Sequence, residues 1–328
     1  KSRIFNSLIS LKTGAYTRST SMRMHPATRV AALAALAVAV LLPGRVTVDA
    51  QGNARERTLF VSAVDERGVP APTLAATDLI VREDGARREV LRVGPATEPI
   101  DIALLVDNST AASALIPPMR DGLTRFVTAM TAPGGPRHNI ALIGIASRPT
   151  VIVDYTSDRD ALTRGIGRLF PESSSGMTLL DGLVEVSRGL SRRESARAVL
   201  VPVITDGVEF SNRYYADVVQ AMTDADAALH AITVGTFELN NEEPIRNRAL
   251  SLDKGVEATG GQRMTLLTPS AVPGALERLA RELSSQFKVV YSRPESLIPP
   301  ETLEVTSTRP AITVRATPAR GQDAGAAR

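Results

Sequence analysis

Four oxygen-bearing side chains lie next to apolar runs in three separate parts of the chain. Asp107 and Ser109 come directly after one apolar run, and Asp206 closely follows another. Thr178 lies in a loop before an amphipathic helical pattern. Because the set holds carboxylates and hydroxyls but no imidazole or thiol, it has the ligand chemistry of a hard cation such as Mg²⁺. We therefore predict a metal site made of Asp107, Ser109, Thr178 and Asp206.

The apolar runs before these residues predict neighbouring strands of a parallel sheet. Ile102–Val106 and Val199–Ile204 are continuous rather than alternating, as expected where helices cover both faces of the sheet. Ligands of an open parallel sheet bind at the carboxyl ends of its strands. The loops after these two runs are therefore expected to meet at one edge of the sheet.

Strand and helix patterns alternate through the middle of the chain. The predicted helices lie around Met119–Met130, Arg159–Leu169, Leu179–Leu190, Tyr215–Leu229, Leu250–Ala258 and Val272–Leu283. Alternation of this kind predicts an α/β fold with a doubly wound, mostly parallel, Rossmann-like sheet. The link Ser147–Pro149 is too short for a parallel crossover, so Val151–Tyr155 is predicted to be an antiparallel edge strand.

Short β-like segments flank this region on both sides, within Thr58–Val93 and Phe287–Arg315. Neither group is expected to be stable alone, so we predict that they pair to form one small β unit. The predicted organisation is a leader at 1–50, the halves of the β unit at 51–97 and 286–317, the α/β domain at 98–285 and a disordered tail at 318–328.

Three short motifs give the α/β region a specific resemblance. Asp107-x-Ser109 after a strand, Gly176-Met177-Thr178-Leu179 before a helix and Ile204-Thr205-Asp206-Gly207 resemble the metal-ion-dependent adhesion site of von Willebrand factor type A (VWA) domains. The resemblance covers about Glu98 to Ser285. The flanking segments Val64–Gly68, Asp78–Gly85 and Leu283–Tyr291 resemble the secreted VWFA-related domain proteins described from Acidobacteria.

The resemblance implies a role for each candidate ligand. Ser109 and Thr178 would ligate Mg²⁺ directly, while Asp107 and Asp206 would act largely through bound water. One coordination position would stay open for a carboxylate of a protein partner. The family motif runs Asp-x-Ser-x-Ser, and this chain has Ala111 at the last position, so one hydroxyl ligand is missing. The implied function is an exported, non-catalytic interaction or adhesion module with a degenerate site.

Other interpretations of these residues stay open at this point. The four residues could cap the helices that follow them, or the site could be vestigial and metal-free, with a partner bound elsewhere. Asp107 also resembles the nucleophile of haloacid-dehalogenase-type phosphatases, which would make the protein a Mg²⁺-dependent phosphohydrolase. Those enzymes need a second acid where Ser109 stands, and the sequence also lacks a G-x-S-x-G nucleophile elbow. We therefore predict no catalytic residues.

Composition and charge limit the remaining function classes. The 328 residues are 43% hydrophobic, which is enough for a large core. The net charge is +3, but residues 1–50 hold seven basic residues and one acid. Subtracting these from totals of 38 and 35 leaves 31 basic and 34 acidic residues, a net of −3. The basicity therefore belongs to the N-terminal segment, and we predict no nucleic-acid partner.

Cysteine is absent, which excludes disulfides, thiol catalysis and thiolate zinc sites. Only His138 and His230 follow the N-terminal segment, too few for a histidine-rich metal cluster. Both are predicted to be packed or surface residues rather than ligands.

The N-terminal segment has the form of a secretory signal peptide. A basic start, Met22–Arg29, precedes a thirteen-residue apolar run, Val30–Leu42. Small residues in Val48-Asp49-Ala50 predict cleavage after Ala50 and a periplasmic or secreted location. The alternative is an uncleaved anchor, which would be the only membrane contact of the protein.

Overall fold

The computed structural model describes residues 54–193, 195–235, 242–294, 298, 300 and 302–320. The predicted leader at 1–50 lies outside these residues, as does most of the predicted tail, 321–328. Within the described ranges, no helix is long and apolar enough to cross a bilayer.

A six-stranded sheet forms the centre of the α/β region. Its strands are β5 (Ile100–Val106), β6 (Asn139–Gly144), β7 (Thr150–Thr156), β8 (Arg197–Thr205), β9 (Ala227–Val234) and β10 (Gln262–Leu266). Their order across the sheet is β10-β9-β8-β5-β6-β7. Only β7 runs antiparallel to its neighbour. The predicted mostly parallel sheet with one antiparallel edge strand is confirmed.

Six helices cover the two faces of this sheet. They are α1 (Ile116–Met130), α2 (Arg159–Gly167), α3 (Leu179–Ser191), α4 (Tyr215–Asp224), α5 (Glu243–Thr259) and α6 (Val272–Ser284). Side chains of α1, α2 and α6 share one apolar cluster with the sheet, and side chains of α3, α4 and α5 share another. Every residue of β5 and β8 is buried between these layers, which explains the uninterrupted apolar runs Ile102–Val106 and Val199–Ile204 within them.

The strand order places a topological switch point between β5 and β8. From β5 the chain continues to β6 and β7 on one side, and then returns through β8 to β9 and β10 on the other. The loops after β5 and β8 therefore leave in opposite directions and open a crevice at their carboxyl ends. In open α/β sheets, this crevice is where ligands bind.

Two small antiparallel sheets join the N- and C-terminal segments. Their strands are β1 (Ala54–Asp65), β2 (Leu79–Glu83), β3 (Ala86–Arg88), β4 (Val90–Pro95), β11 (Phe287–Pro294), β12 (Leu303–Ser307) and β13 (Ile312–Pro318). One sheet has the order β13-β1-β11-β4 and the other β12-β2-β3. A single apolar cluster unites residues of both sheets, so the two terminal segments do flank the α/β fold as β structure.

Two details of the sequence-based description differ from the structure. The helix predicted over Tyr215–Leu229 ends at Asp224, and Leu229 lies in β9. A buried strand and the buried face of a helix are both apolar, so the apolar side chain of Leu229 does not by itself distinguish β9 from a longer helix α4. At the C-terminal end, β13 reaches Pro318, and Arg320 donates to the carbonyl oxygen of Arg193 over 2.8 Å. The chain is therefore ordered slightly beyond the predicted start of the tail.

Candidate functional site

The predicted site residues lie on three loops at the carboxyl edge of the central sheet. Asp107 follows β5, Asp206 follows β8, and Thr178 directly precedes α3. Because β5 and β8 are adjacent and parallel, the loops after them start side by side, and the Asp107 N–H donates to the carbonyl of Val203 over 2.9 Å. Thr178 joins them through β6, since its N–H donates to the Ile145 carbonyl over 2.8 Å.

Asp107 is fully buried, and both of its carboxylate oxygens accept hydrogen bonds. Oδ1 accepts from the Ser109 N–H at 2.9 Å, and Oδ2 accepts from the Thr205 N–H at 3.1 Å and from the Thr205 hydroxyl. Asp107 therefore fixes the turn that carries Ser109 and ties it to the end of β8. The carboxylate supplies negative charge to the site without being exposed to solvent.

Ser109 carries a buried hydroxyl with no hydrogen-bond partner among the described residues. Its side chain is 1% exposed, and Oγ contacts no donor or acceptor. A buried polar group without a partner costs about 1–3 kcal/mol, and an ion bound beside Ser109 would remove that cost. The Ser109 hydroxyl therefore fits the predicted role of a metal ligand.

The hydroxyl proton of Thr178 takes part in a hydrogen bond within the protein. Oγ1 donates to the Ala146 carbonyl over 3.0 Å, which leaves its lone pairs free to accept a cation. Its side chain makes no capping bond to α3, and Ser109 likewise makes none to the short 3₁₀ turn Thr110–Ala112. For these two hydroxyls the helix-capping interpretation is therefore wrong.

Asp206 is exposed and lies over the end of β9. A Cβ placed on Gly235 would stand 2.9 Å from both Cγ and Oδ2 of Asp206. Gly235 also has a φ of 119°, a conformation that favours glycine. Gly235 thus makes room for the Asp206 carboxylate, a role that no sequence motif indicated. Helix α4 has its N-cap at Tyr214, so Asp206 does not cap it either.

Ala111 faces the site at the position of the missing hydroxyl. Its Cβ lies 2.8 Å from where a Cβ on Gly207 would stand, and the Ser109 Oγ lies 3.8 Å from the same point. The described residues contain no group of three or more His, Cys, Asp or Glu side chains placed to hold a metal ion. The candidate ligands at this edge are therefore two carboxylates, Asp107 and Asp206, and the hydroxyls of Ser109 and Thr178.

Two buried charged residues, neither of them indicated by a sequence motif, lie next to the site. Arg248, in α5, is 2% exposed and donates through Nη1 to the carbonyl oxygen of Gly207. Glu209 is also buried, and Oε1 accepts from the Ser211 N–H at 3.1 Å. Burial raises the pKa of Glu209 to about 7, although the bonds from Ser211 and the charge of Arg248 oppose that shift.

The loop after β8 is held against the loop before α3. The Met177 N–H donates to the Val208 carbonyl over 2.8 Å, and the Phe210 N–H donates to the Met177 carbonyl over 2.7 Å. The Phe210 ring lies over Gly176, where an added Cβ would approach ring carbons to 2.8 Å. Gly176 in the predicted motif therefore provides a flat surface for this ring.

Large apolar side chains are exposed around the same edge. The described residues include nine exposed large hydrophobic or tyrosine side chains, and five of them stand on these loops or the neighbouring ones: Phe170, Val208, Phe210, Tyr214 and Leu267. Phe210 is 61% exposed. Of these five, Val208, Phe210 and Tyr214 belong to the loop between β8 and α4, which carries Asp206.

The two histidines lie away from these loops and are packed, as predicted. His138 accepts a hydrogen bond at Nδ1 from the Ile100 N–H at 3.0 Å, and His230 is buried in β9. Burial lowers the pKa of each to about 4, so both are neutral at pH 7.

The profile of the family described as "von Willebrand factor type A domain" matches residues 101–255. Those residues are a VWA domain. The match includes Asp107, Ser109, Thr178 and Asp206, and it confirms the resemblance drawn from the three motifs. VWA domains are protein-interaction and adhesion modules, so the coarse functional class follows from the family.

Several solved structures are similar to this chain at low identity. The vWF domain of the pilus tip protein Mfa5 from Porphyromonas gingivalis is 14% identical, with 57% of this chain and 96% of that chain covered and a TM-score of 0.44. Proximal thread matrix protein 1 of the mussel byssus, with a zinc-occupied MIDAS motif, is 17% identical, with 62% and 49% covered and a TM-score of 0.46. This chain thus spans about half of the byssus protein.

A von Willebrand factor type A protein from Catenulispora acidiphila is 10% identical, with 82% of this chain and 73% of that chain covered and a TM-score of 0.47. No curated protein matches the chain.

Proposed function

We propose that the protein is an exported interaction or adhesion module that binds a partner carboxylate through Mg²⁺ at the edge defined by Asp107, Ser109, Thr178 and Asp206. The observation that carries the proposal is the Ser109 hydroxyl, which is buried, lies beside two acidic loops and has no hydrogen-bond partner among the described residues. A coordinated cation would satisfy this oxygen.

Each residue contributes a different property to the proposed site. Ser109 and Thr178 offer neutral oxygens for direct ligation, and the bond from Thr178 to the Ala146 carbonyl orients its lone pairs. Asp107 and Asp206 would act mainly through water and would supply the negative charge that offsets the cation. Bound Mg²⁺ would supply an electrophilic position for an anionic group of the partner.

The surroundings of the site support a protein as the partner. Exposed aromatic and aliphatic side chains such as Phe210 and Tyr214 suit the apolar part of a protein interface. The chain after Ala50 carries a net charge of −3, which gives no electrostatic footprint for nucleic acid. The proposed export depends on the leader sequence, and the finer kinship with secreted proteins of Acidobacteria stays a prediction.

A metal-free site is the second candidate, because two observations favour it. Ala111 removes one hydroxyl ligand, and the buried Arg248 brings a fixed positive charge to the same loops. In that case the partner would bind elsewhere on the surface, and no divalent ion would be required.

The burial of Asp107 opposes the phosphohydrolase alternative. A nucleophilic carboxylate must reach the phosphorus atom of its substrate. Asp107 is 0% exposed, and both its oxygens are occupied by hydrogen bonds from Ser109 and Thr205. The geometry therefore supports a structural and electrostatic role for Asp107.

Calorimetric titration of Mg²⁺ into the wild type and into Ala111→Ser tests the proposal. An oxygen fixed by the loop replaces a water that has to be ordered, so Ala111→Ser is expected to bind Mg²⁺ about tenfold more tightly, or about 1.4 kcal/mol. Ala114→Ser is the matched control, since Ala114 is also exposed but lies outside the metal motif. No binding by any of the three proteins would favour the metal-free site, and equal finite affinity would show that position 111 is not part of the metal site.

A further inference from the structure

A buried arginine adjoins the candidate site from outside its three loops. Arg248 lies in the second turn of α5, 41 residues after the Gly207 carbonyl that accepts its Nη1 hydrogen bond. Gly207 directly follows Asp206, and a Cβ on Gly207 would stand 3.8 Å from the Ser109 Oγ. The guanidinium is thus attached to the backbone of the proposed metal loop.

The charges of three acidic side chains act on this guanidinium. Burial lowers the pKa of Arg248, and the charges of Glu209, Asp107 and Asp206 oppose that shift, in this order of size. A buried charge is tolerated only when opposite charges or hydrogen bonds compensate it. The acidic side chains therefore offset part of the cost of burying Arg248.

A divalent ion at Ser109 and Thr178 would use the same negative charge. It would also be repelled by the fixed guanidinium, because like charges repel each other. We propose that Arg248 is the internal counter-cation of the site: it balances Asp107, Asp206 and Glu209 when no metal is bound, and it lowers the affinity for Mg²⁺. This inference rests on the proposed metal site and adds a residue that sets its affinity.

The first test compares the chelator-treated wild type with Arg248→Gln and Arg248→Lys in calorimetric Mg²⁺ titrations. Gln removes the charge but keeps an N–H donor for the Gly207 carbonyl, whereas Lys keeps the charge. Arg248→Gln is expected to bind Mg²⁺ at least tenfold more tightly than the wild type, and Arg248→Lys to stay within threefold of it. Equal or weaker binding by Arg248→Gln would overturn the role of Arg248 alone. A lack of binding by all three proteins would overturn the metal site itself and this inference with it.

Thermal unfolding of Arg248→Gln, measured with chelator and with Mg²⁺, is a second test. It can be used even if this variant is less stable than the wild type. Mg²⁺ should raise the Tm of Arg248→Gln more than that of the wild type, because the ion replaces the lost positive charge. An equal or smaller increase contradicts the proposal.

A further measurement needs no arginine variant. In chelator, Asp206→Asn is expected to lower the Tm, because Asp206 loses its attraction to Arg248. Asp224→Asn, at the far end of α4, is the matched control and should leave the Tm within about one degree. A higher Tm for Asp206→Asn would show that repulsion among the carboxylates dominates, and would contradict the proposed charge balance.

Discussion

Two buried arginines stand at opposite edges of the central sheet, and their surroundings differ in kind. Arg197, at the amino end of β8, donates to the carbonyls of Glu98 at 2.8 Å and Leu283 at 3.0 Å and to the Gln286 side chain. Its guanidinium also lies 5.0 Å from the centre of the Phe60 ring. Arg248, near the carboxyl end, interacts instead with the charges of Glu209, Asp107 and Asp206.

These contacts distinguish Arg197, which has a structural role, from Arg248, which lies next to the candidate site. Around Arg197 the acceptors are neutral, and they belong to segments that join the α/β domain to the flanking β sheets. At the other edge the acceptor side chains are charged, and the buried hydroxyl of Ser109 has no hydrogen-bond partner among the described residues. The charge around Arg248, rather than its burial, therefore distinguishes this edge from the other.

The largest expected effect comes from breaking the contacts of Arg197. Arg197→Met leaves two buried carbonyls and the Gln286 amide oxygen without their donor, so we expect the free energy of unfolding to fall by about 4 kcal/mol. Urea denaturation measures this loss. Arg188→Met, an exposed arginine on α3, is the control and should cost under 0.5 kcal/mol. A loss of less than about 1 kcal/mol for Arg197→Met would contradict the structural role.

A second effect depends on pH and involves His230, which is buried near Glu282 and Arg315. Burial lowers the pKa of His230 from 6.5 to about 4. The unfolded chain therefore binds a proton that the native chain excludes, and stability is lost as the pH falls from about 6.5 to 4. The loss from this residue amounts to roughly 3 kcal/mol.

Urea denaturation between pH 7 and pH 4 checks this assignment. His230→Leu should remove about half of the loss that comes from the two histidines, because burial lowers the pKa of His138 to about 4 as well. If the wild type and His230→Leu lose equal stability over this range, the assignment is wrong.

The sequence was informative where local patterns were sufficient. Ile102–Val106 and Val199–Ile204 were predicted as buried parallel strands, and they lie within β5 and β8. The helix predicted over Leu250–Ala258 lies within α5, which ends just before Gly260, a glycine with a φ of 72°. These features depend on side-chain periodicity or on the conformational freedom of one residue.

Features that depend on long-range packing could not be predicted. No spacing rule relates Arg248 to Gly207, because α5 reaches the loop after β8 only once the sheet has formed. The same holds for Gly235 beneath Asp206. Leu229 was placed in a helix, since its apolar side chain fits a buried strand equally well. The four candidate ligands were predicted from the sequence, but the positive charge of Arg248 beside them was not.

The assignment of Ser109 as a cation ligand is tested most directly by Mg²⁺ titration of Ser109→Ala beside the wild type. Ser113→Ala is the control, since it removes an exposed hydroxyl that donates to the Thr110 carbonyl over 2.7 Å. Ser109→Ala is expected to bind Mg²⁺ at least tenfold more weakly, while its metal-free stability stays equal or rises, because an orphan buried hydroxyl is removed. Wild-type Mg²⁺ affinity in Ser109→Ala would contradict the proposed site.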